Sequence, residues 1–331
     1  MASRRRFLAA AASAYCASAF GAYHISKRLR GGGDEGGAVV ADEGDRSSAS
    51  TFASLAPRYD RAIDTDETLM GLKLLRRLTL GGRGGARGDV LEACAGTGRN
   101  LGYYRRGAGV SSVTLAEPSR EMLAEARQKA MRLSEGSGGG DLPRMNFVLA
   151  RAEGLVRSGS GRVFGPDDAF DLRAGPSPAP PLPSLGSFAP RSFDTVVDTF
   201  GLCSVEDPKR ALEEMAAACK PDGRIILIEH GRATTTSSSS SSPSGSSSGS
   251  SPPSPFPFTR PWIDAKLDAS AVEHRRRWGC WWNRDLEAVI RGVVDVESAA
   301  RWHFGTTLVV VARPRIAERG SGEERGGRGD G

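Results

Sequence analysis

The chain has 331 residues, a net charge of +6 and 39% hydrophobic residues, which is enough apolar material for one large domain or two small ones. Its five cysteines (Cys16, Cys94, Cys203, Cys219 and Cys280) contain no C-x-x-C pair, so their spacing fits neither a zinc site nor a disulfide scaffold. They read as free thiols in a reducing compartment, with no metal expected. The basic excess lies at the N-terminus and in scattered arginines, without a basic helix or an aromatic–basic repeat, so nucleic acid is not an expected partner.

Ahead of the first acidic residue, Asp34, come Arg4-Arg5-Arg6, an alanine-rich apolar run from Phe7 to Ile25, and then Lys27, Arg28 and Arg30. Arginine-rich, serine-containing and acid-poor is the pattern of an organelle presequence. The apolar run is also long enough, as a helix, to cross a hydrocarbon core of about 30 Å. Three readings stay open: a mitochondrial presequence or membrane anchor through residues 7–25, a plastid address, and a secretory or twin-arginine signal suggested by Arg4-Arg5-Arg6-Phe7-Leu8. A polar linker follows, so residues 1–50 form a targeting or anchoring segment with its linker.

From residue 51 to 314 the sequence reads as one folded domain, and residues 315–331 as a Gly-rich charged tail. Short apolar runs at Asp89–Ala93, Val113–Glu117, Asn146–Ala150, Phe193–Thr199 and Arg224–Glu229 predict buried strands. Helical spacing predicts helices over Arg120–Leu133 and Pro208–Cys219, the second with Asp207 as N-cap and Pro208 in its first turn. Pro221-Asp222-Gly223 is expected to be a turn leading into the fifth strand. A further helix is expected around Asp285–Arg291, and strands near Val293–Trp302 and Thr306–Val311. Strand–helix alternation of this kind predicts an α/β fold: a mostly parallel, seven-stranded sheet with helices on both faces. Two Gly/Pro/Ser-rich stretches, near residues 158–191 and 234–257, are expected to be disordered insertions.

The first strand runs into Leu91-Glu92-Ala93-Cys94-Ala95-Gly96-Thr97-Gly98. A Gly-rich turn there lets a ligand approach the backbone, and a following helix would offer its free N–H groups to a carboxylate or phosphate. A nicotinamide site would need a third glycine where Leu101 stands. The second strand ends in Glu117-Pro118, where a carboxylate can accept both ribose hydroxyls of an adenosine. Its strand-end position predicts a solvated side chain. Met122 fits either an adenine face or the core. His230 ends the fifth strand, on the edge where open α/β sheets bind ligands, and is the candidate base; His274 and His303 are weaker candidates.

Glu92–Gly98, Glu117-Pro118, Ala152-Glu153-Gly154-Leu155, Ser192–Val197 and Lys220–Arg224 occur in order. Together they resemble the class I S-adenosylmethionine-dependent methyltransferases of the type 11 group, which includes ubiquinone-biosynthesis enzymes. The resemblance covers residues 52 to 314. Phe52, Ala56, Tyr59 and Asp60 look like the segment those enzymes place over the cofactor. Asp198–Pro208, Ile228–Arg232 and Trp278–Asp285 are similar to Oms-type methyltransferase-like proteins of the fungal mitochondrial inner membrane, and to animal relatives that methylate small thiols at membranes. The resemblance implies S-adenosyl-L-methionine as cofactor and a small-molecule or lipid-like acceptor at an organelle membrane, the mitochondrial inner membrane first and a plastid second. An assembly factor that keeps the fold is the alternative. By position, Glu92, Cys94, Gly96, Thr97 and Gly98 would hold the methionine end, Glu117 and Pro118 the ribose, and Ala152 and Glu153 the adenine. Asp198, Thr199 and Phe200 would face the sulfonium. Two departures stand out. Cys94 replaces the first glycine of the family turn, and Arg151 stands where many relatives carry an aspartate that receives the adenine amino group.

Overall fold

The computed structural model describes residues 48–82, 84–136, 139–156, 163–164, 186–234 and 260–315. The expected anchor at 7–25 lies outside them, as do most of both insertions and all but the first residue of the tail. Among the described residues no helix is long and apolar enough to cross a membrane.

Seven strands form the central sheet: β1 (Gly88–Ala93), β2 (Val110–Glu117), β3 (Arg144–Leu149), β4 (Phe193–Thr199), β5 (Cys219–His230), β6 (Val294–Trp302) and β7 (Thr307–Pro314). Their spatial order is β3-β2-β1-β4-β5-β7-β6. The first five are parallel, and β7 runs antiparallel to both of its neighbours. Side chains alternate between the faces, as a strand period of two requires. Leu91, Val196, Ile225 and Leu227 enter one core with Leu212 and Met215 of α4 (Pro208–Ala218) and Ile290 of α6 (Leu286–Val293). Val90, Val197 and Ile226 enter the other, with Leu123 and Ala126 of α3 (Arg120–Glu135) and Leu80 of α2 (Leu72–Leu80). Both faces being covered explains why the central strands read as unbroken apolar runs.

Asp207 caps α4 as expected, accepting from the Arg210 N–H, and Pro208 opens that helix. One stretch goes beyond the expectations, and three expectations give way. The region before β1 holds two helices, α1 (Ser48–Leu69) and α2, which no strand–helix alternation announces. The Gly-rich turn leads into a three-residue 3-10 helix, Leu101–Tyr103, rather than a full helix. Gly102, Gly107 and Gly109 crowd the short span before β2, and each interior glycine costs a helix about 1 kcal/mol. Pro221–Gly223 is a bulge within β5: Phe193 pairs with Cys219 and Thr195 with Arg224, so the extra residues arch outward. Finally, the end of the first insertion is ordered. Phe188 is fully buried, sits edge-on to Phe193 at 5.3 Å, and donates its N–H to Leu155 O at 2.7 Å.

Candidate functional site

The C-terminal ends of β1, β2, β4 and β5 form one edge, and the Gly-rich turn lies at its centre. Cys94, Gly96 and Gly98 have φ of 49°, 53° and 70°, the left-handed region that favours glycine. Cys94 therefore occupies a glycine conformation with a side chain. The two glycines serve different ends. A Cβ on Gly96 would meet nothing within 4 Å, so the backbone is open there to a ligand. A Cβ on Gly98 would lie 2.6 Å from Leu101 Cδ1 and 3.1 Å from Ala126 Cβ, so this glycine permits packing against α3.

Glu117 corrects the expectation of a solvated carboxylate. It is 5% exposed, and its two oxygens accept from Gly96 N and Ser119 N, each at 2.9 Å. Ser119 also caps α3 by accepting from Met122 N. Burial pushes the Glu117 carboxyl up to about 7, against the pull of the two backbone donors. Each oxygen keeps a lone pair beyond the one already used. Pro118 beside it is half-buried, and Met122 is fully buried.

Glu92 faces the interior. Asn100 Nδ2 and the Tyr104 hydroxyl donate to it at 3.0 and 2.7 Å, and burial raises it to about 7. It holds the segment after the turn in place. Thr97 is also buried, and its hydroxyl donates to Asp60 at 2.6 Å. Lys129 of α3 donates to Thr97 O at 2.7 Å and pairs with Asp60 at 2.5 Å. Asp60 thereby clamps α1 over the turn. Tyr59, next to it, is half-buried and stands edge-on to Phe52, and burial drives its phenol upward.

A network beneath α1 and α2 escaped the sequence reading. Arg76, 3% exposed, donates to Asn100 Oδ1 at 2.6 Å, to Thr199 Oγ1 at 2.8 Å and to Glu67 at 2.8 Å. Glu67 also pairs with Arg99. Asn100 Nδ2 reaches Thr199 as well, at 3.0 Å. An arginine on an amphipathic helix ordinarily reads as solvent-facing, so no local signal marks it.

Asp198 and Glu229, on adjacent strands β4 and β5, are both fully buried. Asp198 Oδ2 accepts from Leu202 N at 2.9 Å, and Glu229 accepts from Gly201 N at 3.1 Å and Cys203 N at 3.2 Å. Asp198 Oδ1 has no conventional donor. Burial raises both carboxyls; Glu92 adds to the rise at Asp198, which the bond from Glu229 opposes, and the Asp198 charge adds to that at Glu229, which lies well above the usual range. A proton held by Glu229 and directed at Asp198 satisfies the orphaned oxygen. The pair holds the loop 200–204 from below, so Asp198 does not present its carboxyl to the open side. Phe200, at φ 60°, packs its ring 4.6 Å from that of His230.

Ala152 is buried. Glu153 is directed toward the 201–207 loop, accepting from Glu206 N at 3.1 Å, and Arg151 lies near both Glu153 and Glu206. The Cys94 thiol is pushed well above its ordinary range by burial, then by Asp198, Glu117, Glu229 and Glu153. The edge is thus rich in carboxyls, and Lys129 and Arg99 beside the turn are paired with acids on α1.

His230 is half-buried, with Nδ1 3.5 Å from Cys203 Sγ and 3.3 Å from Cys280 Sγ. Cysteine spacing excluded a metal-ligand set because these residues are remote in sequence; the sheet edge brings them together. His303 is structural, bonded to Thr307 Oγ1 and Met70 O at 2.8 Å each. The tryptophans also have neighbours: Trp282 stacks on His274 at 3.7 Å and Trp281 lies under Arg275 at 5.1 Å.

The family described as methyltransferase domain matches residues 66–291. Methyltransferase OMS1, mitochondrial, from Saccharomyces cerevisiae is 30% identical over 269 residues, covering 81% of this chain and 46% of that protein. The ubiquinone/menaquinone biosynthesis C-methyltransferase UbiE of Haemophilus ducreyi is 28% identical over 197 residues, covering 59% and 61%. The chain thus spans about half to three fifths of the length of these relatives. Among solved structures, a SAM-dependent methyltransferase from Thermotoga maritima superposes with a TM-score of 0.43 at 15% identity, covering 81% of this chain and all of that one.

Proposed function

The chain belongs to the class I S-adenosylmethionine-dependent methyltransferases, and on that premise we propose that it methylates a small-molecule or lipid-like acceptor at a mitochondrial membrane. The observation that carries the cofactor half of this reading is Glu117, buried against the open Gly96 backbone with a lone pair left on each oxygen. That geometry suits two ribose hydroxyls lying across the turn. Pro118 and Met122 border the same corner, and Ala152 and Glu153 border the adenine side through their backbone. Thr97, Gly98, Glu92 and Asp60 position the turn.

When bound, S-adenosylmethionine supplies a methyl group on a sulfonium, open to in-line displacement. The carboxyls of Glu117, Asp198 and Glu153 lie around this edge, and in their ionised forms they favour positive charge there. Burial first, and the neighbouring carboxyls second, keep the Cys94 thiol protonated. A thiolate beside a sulfonium would itself be alkylated, so a raised thiol is a protective feature. Tyr59 and Phe200 flank the acceptor side together with Thr199, and His230 is the group there that can take a proton if the acceptor arrives protonated.

The acceptor class rests on the relatives. UbiE is named for ubiquinone and menaquinone biosynthesis and OMS1 as mitochondrial. The apolar run at residues 7–25 would carry the domain to the membrane. The test has two arms. Thermal denaturation with S-adenosylhomocysteine and with NAD should show stabilisation by the first alone, about 2.7 kcal/mol at 100 times its dissociation constant. Methyl-labelled cofactor is then offered to quinone precursors and thiols. Label transfer to either supports the reading, and tight cofactor binding with no transfer to any acceptor favours a non-catalytic assembly role.

A further inference from the structure

Three segments distant in sequence meet beside the cofactor edge: the loop after β4, the end of β5, and the turn after α5 (Arg260–Trp278). They bring together Cys203 Sγ, His230 Nδ1 and Cys280 Sγ, all within 4.8 Å of one another. The two sulfurs are 3.0 Å apart, and the imidazole nitrogen is 3.5 and 3.3 Å from them. Cys203 is fully buried and Cys280 is 5% exposed. We propose that Cys203, Cys280 and His230 form a binding site for one thiophilic divalent cation, with zinc as its probe.

The donor set supports this reading. Two thiolates and one imidazole are borderline-soft ligands that select zinc-like ions, and three protein ligands leave a fourth position open. A tetrahedral ion with metal–sulfur distances of about 2.3 Å and metal–nitrogen distances of about 2.0 Å has nitrogen–sulfur edges of about 3.5 Å. The observed edges already match. The sulfur–sulfur edge would have to open to about 3.8 Å, a small rotation of two side chains. On binding, both thiol protons leave for solvent, so the 2+ of the ion meets two negative sulfurs and the buried complex is neutral. The bond from the Cys203 thiol to Phe200 O, at 3.3 Å, is given up in the process.

The backbone around the ligands is fixed independently. Trp281 N donates to Cys203 O at 2.8 Å, tying the two cysteine segments together. Cys203 N donates to Glu229 at 3.2 Å, and Arg284 donates to Leu202 O at 3.0 Å and to Val205 O at 2.6 Å. Gly279, at φ 70°, makes the turn that carries Cys280 inward. Pre-positioned ligands of this kind lower the ordering cost of binding. With the ion in place His230 Nδ1 would be a ligand and the imidazole would no longer serve as the base there. The inference does not depend on which acceptor is used.

The test uses the full chain, purified with reductant. Elemental analysis after zinc loading should give about one ion per chain, and cobalt should give a thiolate-to-metal charge-transfer band with strong tetrahedral absorption. Chelator competition should show Cys203→Ser, Cys280→Ser and His230→Gln each weakening zinc by at least about tenfold. Cys219→Ser, whose thiol contacts Arg224 O instead, should leave binding unchanged. The proposal is overturned if reduced wild type gives no cobalt–thiolate band, or if the band survives in the Cys203→Ser/Cys280→Ser double variant. A metal-free protein with Cys203 and Cys280 joined in a disulfide also overturns it, in favour of a redox pair. The wild-type cobalt spectrum needs no variant, so a variant that fails to fold does not remove the test.

Discussion

Lowering the pH should weaken cofactor binding through Glu117 before it unfolds the protein. The carboxyl is raised to about 7 by burial, and both oxygens already accept from backbone N–H groups. Two ribose hydroxyls need the ionised form, because a protonated carboxyl turns one acceptor into a donor. Affinity should then follow the ionised fraction: nearly constant above pH 8, and falling tenfold per unit well below 7. At pH 5 the loss is roughly 100-fold, or about 2.7 kcal/mol at 1.36 kcal/mol per unit. The folding sign is opposite. A carboxyl raised from 4.5 to about 7 adds stability below its unfolded value that is lost as pH rises through 7. Acid therefore strengthens the empty fold at this residue while weakening the complex. Calorimetric titration of S-adenosylhomocysteine against wild type and Glu117→Gln from pH 5 to 8 separates the effects, because the ligand's own titration cancels in the ratio of affinities. The variant should bind at least about tenfold more weakly at pH 8, since each hydrogen bond to a charged group contributes about 1.5–3 kcal/mol. The two proteins should converge toward pH 5. A ratio that stays constant across the range refutes the ribose role of Glu117.

Arg76→Met removes the cation from a buried pair with Glu67 and leaves Asn100 and Thr199 without their donor, so stability should fall by about 3 kcal/mol, or roughly 6–12 °C in melting temperature. A drop under about 2 °C would show the network to be dispensable. Gly96→Ala should weaken cofactor affinity with little loss of stability beyond the cost of φ 53°, about 1–2 kcal/mol, whereas Gly98→Ala should cost more through its clash with Leu101. Equal melting temperatures for the two variants would contradict the division of roles. The cofactor-free protein should lose stability between pH 5 and 8, because Glu92 is raised to about 7 by burial; its share is on the order of 3 kcal/mol. Glu92→Gln should flatten that dependence in thermal scans, and an unchanged slope would argue against it.

The parallel core was legible because strands covered on both faces are written as apolar runs, and all five predicted parallel strands appear within a few residues of their expected bounds. α3, α4 and α6 carried helical periodicity and capping residues. What stayed hidden was long-range. Arg76 and Glu67 pair under two helices whose residues look like ordinary surface choices. Cys203, His230 and Cys280 meet only because the sheet order places the ends of β4 and β5 side by side and the turn after α5 crosses them. No spacing rule for metal ligands reaches across such segments. The sequence marked the residues around the glycine turn as one neighbourhood, but their orientation was not available from it. Whether Glu92 or Asp198 faces ligand or core depends on which backbone amides and side chains converge on it.

The sign of the charge on the sheet edge decides between ligands more firmly than the glycines do. A dinucleotide brings a pyrophosphate, and related folds receive it at a helix N-terminus with a third glycine. Here the turn ends in a three-residue 3-10 helix, Leu101 packs under Gly98, and Lys129 and Arg99 are occupied by Asp60 and Glu67. Burial first, and then the acids Asp198, Glu117, Glu229 and Glu153, lift the Cys94 thiol at this edge. A pyrophosphate placed there would face desolvated acids, whereas a sulfonium and an ammonium would meet complementary charge. The replacement of glycine by Cys94 fits the same logic. Its side chain is tolerated at φ 49° in a pocket that keeps it protonated, so a nucleophilic atom can border the methyl donor without consuming it.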